Sequence, residues 1–119
     1  MGRNNEKGTK EDLCRYRLEI SKEDLRSAML LLEAGELRGA NNRAYYSIYH
    51  AISSVHALDG NAYKRHKDAL ANFNKAYVKT KIFSRELGRK ISEAVEIRHA
   101  SDYERQKSRL RQLRSCCVK

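Results

Sequence analysis

The chain of 119 residues contains no proline and no tryptophan, and it has only 6 glycines and 3 cysteines. Because proline and glycine most often end helices, their scarcity favours long helices over sheets and tight turns. The odd cysteine count, with Cys116 next to Cys117, excludes a disulfide framework. No apolar run approaches the roughly 18 residues of a membrane span, and the polar N-terminus lacks a signal-peptide core. We therefore predict a cytoplasmic protein without membrane contact.

Acidic residues are scarce in two parts of the chain. Tyr63–Lys90 carries nine basic and two acidic residues, and Arg105–Lys119 carries six basic residues and no acidic one. Their surpluses of seven and six positive charges are reduced to the formal net charge of +10 by Ile91–Glu104, which carries one basic and four acidic residues. Clustered basic charge suits a polyanionic partner such as RNA. A merely solvated surface or an acidic protein partner explains the same charge, so these alternatives stay open.

Several motifs that bind metals or cofactors are also missing. The 4 histidines show no spacing typical of zinc ligands. The sequence has no glycine-rich phosphate loop and no serine nucleophile elbow. We predict no metal site and no cofactor. Each histidine taken alone is more simply interpreted as a structural or surface residue.

Apolar periodicity predicts an all-α protein with four to five helices in one domain, residues 10–119, after a disordered N-terminus of residues 1–9. Thr9 and Asp12 form a capping box for the first helix, and Gly35 ends it. Gly88, inside a helix, predicts close packing against a neighbour, because glycine there costs about 1 kcal/mol relative to alanine. The predicted helices are Lys10–Ala34, Leu37–Leu58, Lys64–Val78, a fourth from Ser84 to about Arg98, and a fifth from Asp102 with Ser101 as its cap.

The second predicted helix contains the most unusual stretch, ANNRAYYSIYHA at Ala40–Ala51, which divides into two faces. The apolar face, predicted to be core, comprises Ala40, Ala44, Ile48, Ala51, Ile52, Val55 and Leu58. The other face carries Arg43, Tyr46, Tyr49, His50 and Ser53. A tyrosine in a helix is usually buried with its hydroxyl bonded to a partner, but this concentration of polar groups also predicts a binding surface.

These residues carry a family resemblance. The stretch NNRAYYSIYHA, a turn at Gly60, a segment around His66 and the sequence IRHASDY at Ile97–Tyr103 resemble the HEPN superfamily, in particular its small stand-alone proteins of bacteria and archaea. The resemblance covers Asp12–Tyr103. It implies an up-and-down helical bundle that forms a homodimer. Many members are ribonucleases, often toxins encoded beside a nucleotidyltransferase antitoxin, whereas others only bind or scaffold.

The ribonuclease signature of that family is incomplete in this sequence. Arg98 and His99 match its arginine and the polar residue that follows. The histidine that should come next would stand at Tyr103, Glu104 or Arg105, and none of these is histidine. The candidate catalytic residues are Arg98, His99 and Tyr103. The candidate ligand-binding or RNA-binding residues are Arg43, Tyr46, Tyr49, His50, Arg98 and Asp102.

Three functions follow as hypotheses. The first is a dimeric module that binds RNA or a partner protein and works with a nucleotidyltransferase in a toxin–antitoxin system. The second is an active metal-independent endoribonuclease. The third is an interaction or small-ligand module in which Tyr45, Tyr46, Tyr49 and His50 line a cleft. A local ion pair between Arg98 and Asp102 is the structural alternative to a ligand role. Apolar surface left on the second and fourth helices would serve the dimer.

Overall fold

The computed structural model describes residues 8–118, and for residues 101, 102, 105 and 115–118 it describes the backbone only. Residues 1–7, most of the predicted disordered N-terminus, and the side chains of Cys116 and Cys117 lie outside this description. The described chain is helical and contains no strand, which confirms the all-α prediction. None of the described helices is both long and apolar enough to cross a membrane. The elements are α1 (Lys10–Glu33), α2 (Leu37–Leu58), α3 (His66–Phe73), a π-helical segment (Asn74–Val78) and α4 (Arg85–Val118).

Helices α1 and α2 form a hairpin with well-defined ends. Thr9 caps α1 by accepting a hydrogen bond from the Asp12 backbone N–H at 3.0 Å, and the Asp12 carboxylate accepts one from the Thr9 backbone N–H, so the predicted capping box is confirmed. The helices end before Gly35 and Gly60, whose φ angles are +81° and +78°. Glycine adopts this left-handed conformation without the steric cost that a Cβ would add. The chain therefore reverses sharply after each helix.

The interface between α1 and α2 is built from small polar side chains. Ser21 Oγ donates to the Ser47 carbonyl at 2.7 Å, and Ser47 Oγ donates to the Ser21 carbonyl at 2.9 Å. Arg17 Nη1 adds a bond to the Ser53 carbonyl at 3.3 Å. The face of α2 assigned from the sequence is therefore partly wrong: Ser47 and Ser53 are buried, whereas Leu58 is 49% exposed. Paired hydroxyls are buried at little cost because each finds a partner.

The apolar core lies where α2, α3, the π-helical segment and α4 meet. Its buried members are Ile52, Phe73, Tyr77 and Val78. The third predicted helix starts at His66 and changes to a π-helix at Asn74, where the Lys79 N–H bonds to the Asn74 carbonyl at 2.9 Å. The widened turn places consecutive aromatic and β-branched side chains, Tyr77 and Val78, in the core together.

Gly88 brings α4 close to this core. A Cβ at that position would lie 2.9 Å from Val78 Cγ1, closer than carbon atoms normally approach. The close packing predicted at Gly88 is therefore confirmed. This contact fixes where α4 crosses the bundle, and Arg98 lies further along the same helix.

The predicted break between the fourth and fifth helices is wrong. Helix α4 continues without interruption from Arg85 to Val118, because the segment after Arg98 has neither proline nor glycine and is rich in Glu, Arg, Gln, Lys and Leu, all good helix formers. Among the described residues, the exposed large apolar side chains lie mostly on α1 and α4. They include Leu18, Leu25, Met29 and Leu32 of α1, and Ile97, Tyr103, Leu110 and Leu113 of α4. The apolar surface expected on the fourth helix is present, whereas that expected on the second is limited to Leu37 and Leu58.

Candidate functional site

One cluster of polar and aromatic side chains joins three helices and includes Arg98. Its α2 members, at positions 42, 45, 46 and 49, recur on successive turns and share one helix face. His66 is the first residue of α3, and Arg98 reaches the cluster from α4. The set, which we call the Arg98 cluster, consists of Asn42, Tyr45, Tyr46, Tyr49, His66 and Arg98.

Arg98 is oriented by aromatic rings and an amide. Its guanidinium carbon lies 4.4 Å from the ring centroid of Tyr45 and 5.4 Å from that of Tyr46. Both distances are within the range of a cation–π interaction. Arg98 Nε donates to Asn42 Oδ1 at 3.2 Å. A guanidinium carries five N–H donors in one plane, and such planar donors match the geometry of phosphate oxygens.

His66 lies in the same cluster although no sequence motif connects it with Arg98. Its Nδ1 is 3.2 Å from the Tyr45 hydroxyl, and its ring stacks on Tyr49 with centroids 3.8 Å apart. Burial lowers the pKa of His66 from its usual 6.5, and the positive charge of Arg98 and the proximity of His50 lower the pKa further. At neutral pH the imidazole is therefore uncharged and can accept a proton.

Tyr45 is the buried centre of the cluster, with 3% of its surface exposed. Burial raises the pKa of its phenol above 10.0, the nearby Arg98 opposes that rise, and the phenols of Tyr46 and Tyr49 add to it. The hydroxyl therefore stays protonated at neutral pH and serves as a hydrogen-bond donor or acceptor. Tyr45 thus provides a fixed partner for both the cation and the imidazole.

Arg43 and His50, both predicted to bind a ligand, are paired instead with an acidic residue of α1. Arg43 Nη1 is 2.7 Å from Asp24 Oδ1, and His50 Nε2 is 3.7 Å from Asp24 Oδ2. The Asp24 carboxylate is nearly buried, whereas the Arg43 side chain is 45% exposed. This ion pair connects α1 to α2 beside the cluster. It gives both residues a structural role and leaves their ligand role a prediction.

The remaining predicted residues are less closely connected to the cluster. Tyr46 and Tyr49 belong to it, as predicted. His99 is exposed, and Tyr103 is 60% exposed with Lys107 Nζ 5.4 Å from its ring centroid. The side chain of Asp102 lies outside the described residues, so its predicted pairing with Arg98 stays a prediction. Within residues 8–118, no group of three or more His, Cys, Asp or Glu side chains is arranged to hold a metal ion.

Sequence reasoning missed two members of the Arg98 cluster. Asn42 stands one helical turn before Tyr45 and Tyr46. Its position in the stretch NNRAYY is the one signal from which its place in the cluster could have been predicted. His66 was treated as a lone histidine. Its proximity to Arg98 depends on how α3 and α4 pack against α2, which periodicity along one helix does not specify.

Comparison with known proteins assigns the chain to a family. The HEPN domain profile matches residues 14–118, nearly the whole described chain. The protein therefore belongs to the HEPN domain family, as the resemblance implied. A comparison with solved structures gave no significant match.

Three curated relatives are similar to the chain. A "UPF0332 protein" of Thermotoga maritima is 34% identical over 79% of this chain and 71% of its own length. "UPF0332 protein PH1297" of Pyrococcus horikoshii is 37% identical over 57% of this chain and 48% of its own length. "Putative toxin MJ0605" of Methanocaldococcus jannaschii is 29% identical over 72% of this chain and 64% of its own length. The matches to the last two span less than two thirds of those proteins.

Proposed function

We propose that this HEPN protein is an RNA-binding module of the toxin type, in which the Arg98 cluster contacts single-stranded RNA. The observation that carries the proposal is the position of the Arg98 guanidinium against the rings of Tyr45 and Tyr46. A cation held on an aromatic surface combines the two elements that single-stranded RNA requires, a phosphate contact and a stacking surface. A relative named as a toxin supports the biological class.

The charge distribution extends this surface. The side chains described in the second half of α4, at residues 103, 104 and 106–114, are exposed, and Lys107, Arg109, Arg111 and Arg114 are among them. We call this part of the helix the α4 extension. Lysine and arginine that meet phosphates release counterions, so binding is expected to weaken as salt rises. The cluster supplies the specific contacts of the proposed interface, and the α4 extension supplies most of the non-specific attraction.

The proposal includes a homodimer and a nucleotidyltransferase partner acting as antitoxin, both implied by the family resemblance. The support for a dimer is the apolar surface of α1 and α4, where Leu25, Met29 and Leu32 are each at least 50% exposed. Apolar side chains that recur on one helix face mark an interaction surface. The nucleotidyltransferase is tested by co-purification of the chain with the product of a neighbouring gene of that class.

RNA binding at the cluster is tested with a short RNA, because a long one is held mainly by the α4 extension. An RNA tetramer is titrated into wild type, Arg98→Ala and Arg89→Ala, and the tyrosine ring resonances are followed by NMR. We expect Arg98→Ala to weaken binding about tenfold, since hydrogen bonds to charged groups contribute about 1.5–3 kcal/mol. Arg89→Ala removes the same charge from an exposed site on α4 and is expected to change the affinity less than twofold.

Equal weakening by the two variants would show that only the net charge matters and would contradict a site at Arg98. Absence of RNA binding by wild type even at low salt would reject the RNA proposal. In that case the interaction or small-ligand module, with Tyr45, Tyr46, Tyr49 and His50 lining its cleft, would become the favoured function.

A second candidate function is metal-independent RNA cleavage, and the position of His66 favours it. The neutral imidazole lies beside Arg98 through their shared contact with Tyr45. His66 of α3 can therefore take the proton of a ribose 2′-hydroxyl, whose oxygen attacks the adjacent phosphorus to form a 2′,3′-cyclic phosphate, while Arg98 stabilises the charge that develops on the phosphate. The bond from phosphorus to the 5′-oxygen breaks, and the imidazolium returns its proton to that leaving oxygen. The missing motif histidine after Arg98 is not a barrier to this chemistry.

The cleavage test uses end-labelled RNA in EDTA with wild type, Arg98→Ala, His66→Gln and Tyr103→His. If His66 is the base, both cluster variants reduce cleavage at least about a hundredfold, in line with general-base catalysis, while binding of long RNA changes little. Because burial and Arg98 lower the pKa of His66, cleavage is expected to stay constant through neutral pH and to fall only when the pH drops through that lowered pKa and the imidazole is protonated. Tyr103→His restores the family spacing and is expected to raise activity. RNA that stays intact with wild type would leave binding as the function.

A further inference from the structure

An apolar groove lies between α2 and α4, and its described lining residues include no member of the Arg98 cluster. Its volume is about 270 Å³. The α2 wall consists of residues that the sequence assigned to the core: Ile48, Ala51, Ile52 and Val55. Three of them, Ile48, Ala51 and Val55, are only half-buried, so the described chain does not fully cover this part of the predicted core face. We call this cavity the α2–α4 groove.

The rest of the lining is also apolar. Leu87 and Ile91 of α4 contribute to it, together with Phe73 and Phe83, whose stacked rings have centroids 5.5 Å apart. Among the described lining residues, Lys90 alone is polar. A nucleobase or another polar ligand would lose hydrogen bonds to water in such a groove without replacing them, which is costly. Large apolar side chains are therefore the groups that fit it.

Basic side chains surround one end of the groove. Phe83 also lines a neighbouring cavity of about 720 Å³, whose cationic residues are Lys79, Lys81 and Arg85. These three residues and Lys90 are all exposed, and we call them the basic rim. None of the four forms an ion pair with a described residue.

The acidic residues nearest in sequence to the basic rim are already paired. Asp68 and Glu86 are the two acidic residues of Tyr63–Lys90. Asp68 pairs with Arg65, and Glu86 pairs with Arg89. The positive charge of the rim is therefore not compensated by these residues. A row of exposed cations beside an apolar groove is complementary to a partner that carries carboxylates beside an apolar face.

We propose that the α2–α4 groove docks an acidic amphipathic helix of a partner protein, whose apolar side chains enter the groove while its carboxylates meet the basic rim. Helices that bind grooves in this way carry their apolar anchors three and four positions apart. The inference goes beyond RNA binding and does not rest on it. A second copy of the chain fits this surface poorly, because it brings a formal net charge of +10 to a rim of the same sign. A membrane surface is too broad to enter a groove of this size.

Designed peptides test both parts of this recognition with the 119-residue chain. The probe is a fluorescein-labelled peptide of about 18 residues, long enough to form a helix, with leucines three and four positions apart and glutamates elsewhere. One control peptide has lysine in place of every glutamate, and another has alanine in place of every leucine. Fluorescence polarisation is expected to show micromolar binding of the probe and at least about tenfold weaker binding of each control. Equal binding of the probe and either control, or no binding of the probe, would overturn the proposal.

A matched pair of variants tests the groove. Leu87→Glu places a carboxylate in the groove at the first turn of α4, where the helix dipole favours an acid, and it is expected to weaken probe binding at least about tenfold. Ile82→Glu adds the same charge at a position that is 66% exposed and does not line the groove, and its effect is expected to be less than about twofold. Equal weakening by the two variants would show that charge alone matters and would contradict docking in the groove.

The basic rim is tested by removing its charge without touching the groove walls. The rim variant carries Lys79→Gln, Lys81→Gln and Arg85→Gln. The control variant removes the same charge from the α4 extension and carries Arg109→Gln, Arg111→Gln and Arg114→Gln. Loss of three exposed ion pairs is expected to weaken probe binding about tenfold in the rim variant, and the control is expected to change it less than about twofold. Equal losses would show that the peptide responds to net charge and would overturn the assignment of the rim.

Two further measurements separate the acidic helix from other occupants. If Leu87→Glu converts a dimer into a monomer in light scattering, the groove holds a second copy of the chain and the proposal is wrong. If binding of the RNA tetramer falls in the rim variant as much as peptide binding does, the rim belongs to RNA and the proposal is again wrong. Loss of peptide binding in the rim variant with unchanged binding of the tetramer supports the docking site, whatever the result for Arg98→Ala.

Discussion

At the scale of single residues, the sequence indicated the kinds of side chain in the site better than their partners. Arg98, Tyr46 and Tyr49 were predicted and lie in one cluster: the three-residue spacing of Tyr46 and Tyr49 puts them on one face of α2, and Arg98 reaches Tyr46 from α4. The Arg43–Asp24 pair and the Tyr45–His66 contact join residues 19 and 21 positions apart. Such contacts depend on how whole helices pack, and a pattern along one helix carries no information about them.

Gly88 gives a test of packing at a single residue. Alanine normally stabilises a helix by about 1 kcal/mol relative to glycine, but here a Cβ would lie 2.9 Å from the short, buried side chain of Val78. We expect Gly88→Ala to lower the free energy of unfolding by about 1–3 kcal/mol, as overpacking does. Chemical denaturation of wild type and Gly88→Ala measures this change in the free energy of unfolding.

Gly39→Ala is the matched control for this prediction. A Cβ at Gly39 would lie 3.3 Å from Leu31 Cδ1, the end of a longer and more flexible side chain that can move away. This variant is expected to be neutral or stabilising. If Gly88→Ala stabilised the protein as much as Gly39→Ala, α4 would not pack against Val78 as described.

At the scale of helices, the first two and their ends were predictable, and the last was not. The Thr9 capping box and the glycines at 35 and 60 are local signals, and local interactions fix those ends. Ser101 and Glu104 also matched a capping pattern, yet α4 continues past them. A capping pattern ends a helix only where the chain leaves the helical path, and nothing after Arg98 makes it do so.

The second half of α4 is therefore expected to contribute to binding more than to stability. Its described side chains from Tyr103 to Arg114 are exposed, so they bury little surface. Deleting residues 105–119 is expected to change the thermal midpoint by no more than a few degrees. The deletion removes six cations and is expected to reduce the salt dependence of RNA binding, measured as the slope of log affinity against log salt concentration.

Two results for this deletion would contradict the prediction, and each has a structural explanation. A large fall in the thermal midpoint would show that the exposed residues of this segment are covered in solution, as in a dimer. An unchanged salt slope would show that the segment does not meet phosphates.

At the scale of the whole molecule, the chain is more extended than its length requires. Its radius of gyration is 18.1 Å and its longest dimension is 67 Å, whereas a compact chain of this length has a radius of about 13–14 Å. Helix α4, with 34 residues, accounts for much of the excess. An extended shape with exposed leucines is typical of a subunit of an oligomer rather than of a protein that is monomeric in solution.

We therefore expect a homodimer at micromolar concentration. Light scattering coupled to size exclusion would give about twice the chain mass of 13.8 kDa, because a twofold partner can cover the apolar faces of α1 and α4. Leu25→Asp and Leu32→Asp together introduce charge on an exposed face and are expected to give a folded monomer. Paired substitutions at Lys10 and Lys22, exposed positions of the same helix, are the control. A mass of one chain across the micromolar range would contradict the dimer.

The hairpin of α1 and α2 has a consequence for the order of events during synthesis. Its helices are neighbours in sequence and joined by a short turn, so they pair at a small cost in chain entropy and are expected to form early. Arg98 belongs to α4, and it reaches Tyr45 only after the rest of the bundle has been made and has docked. The hairpin can thus leave the ribosome folded before Arg98 has been added to the chain. The Arg98 cluster is therefore not assembled until α4 has been synthesised and has docked.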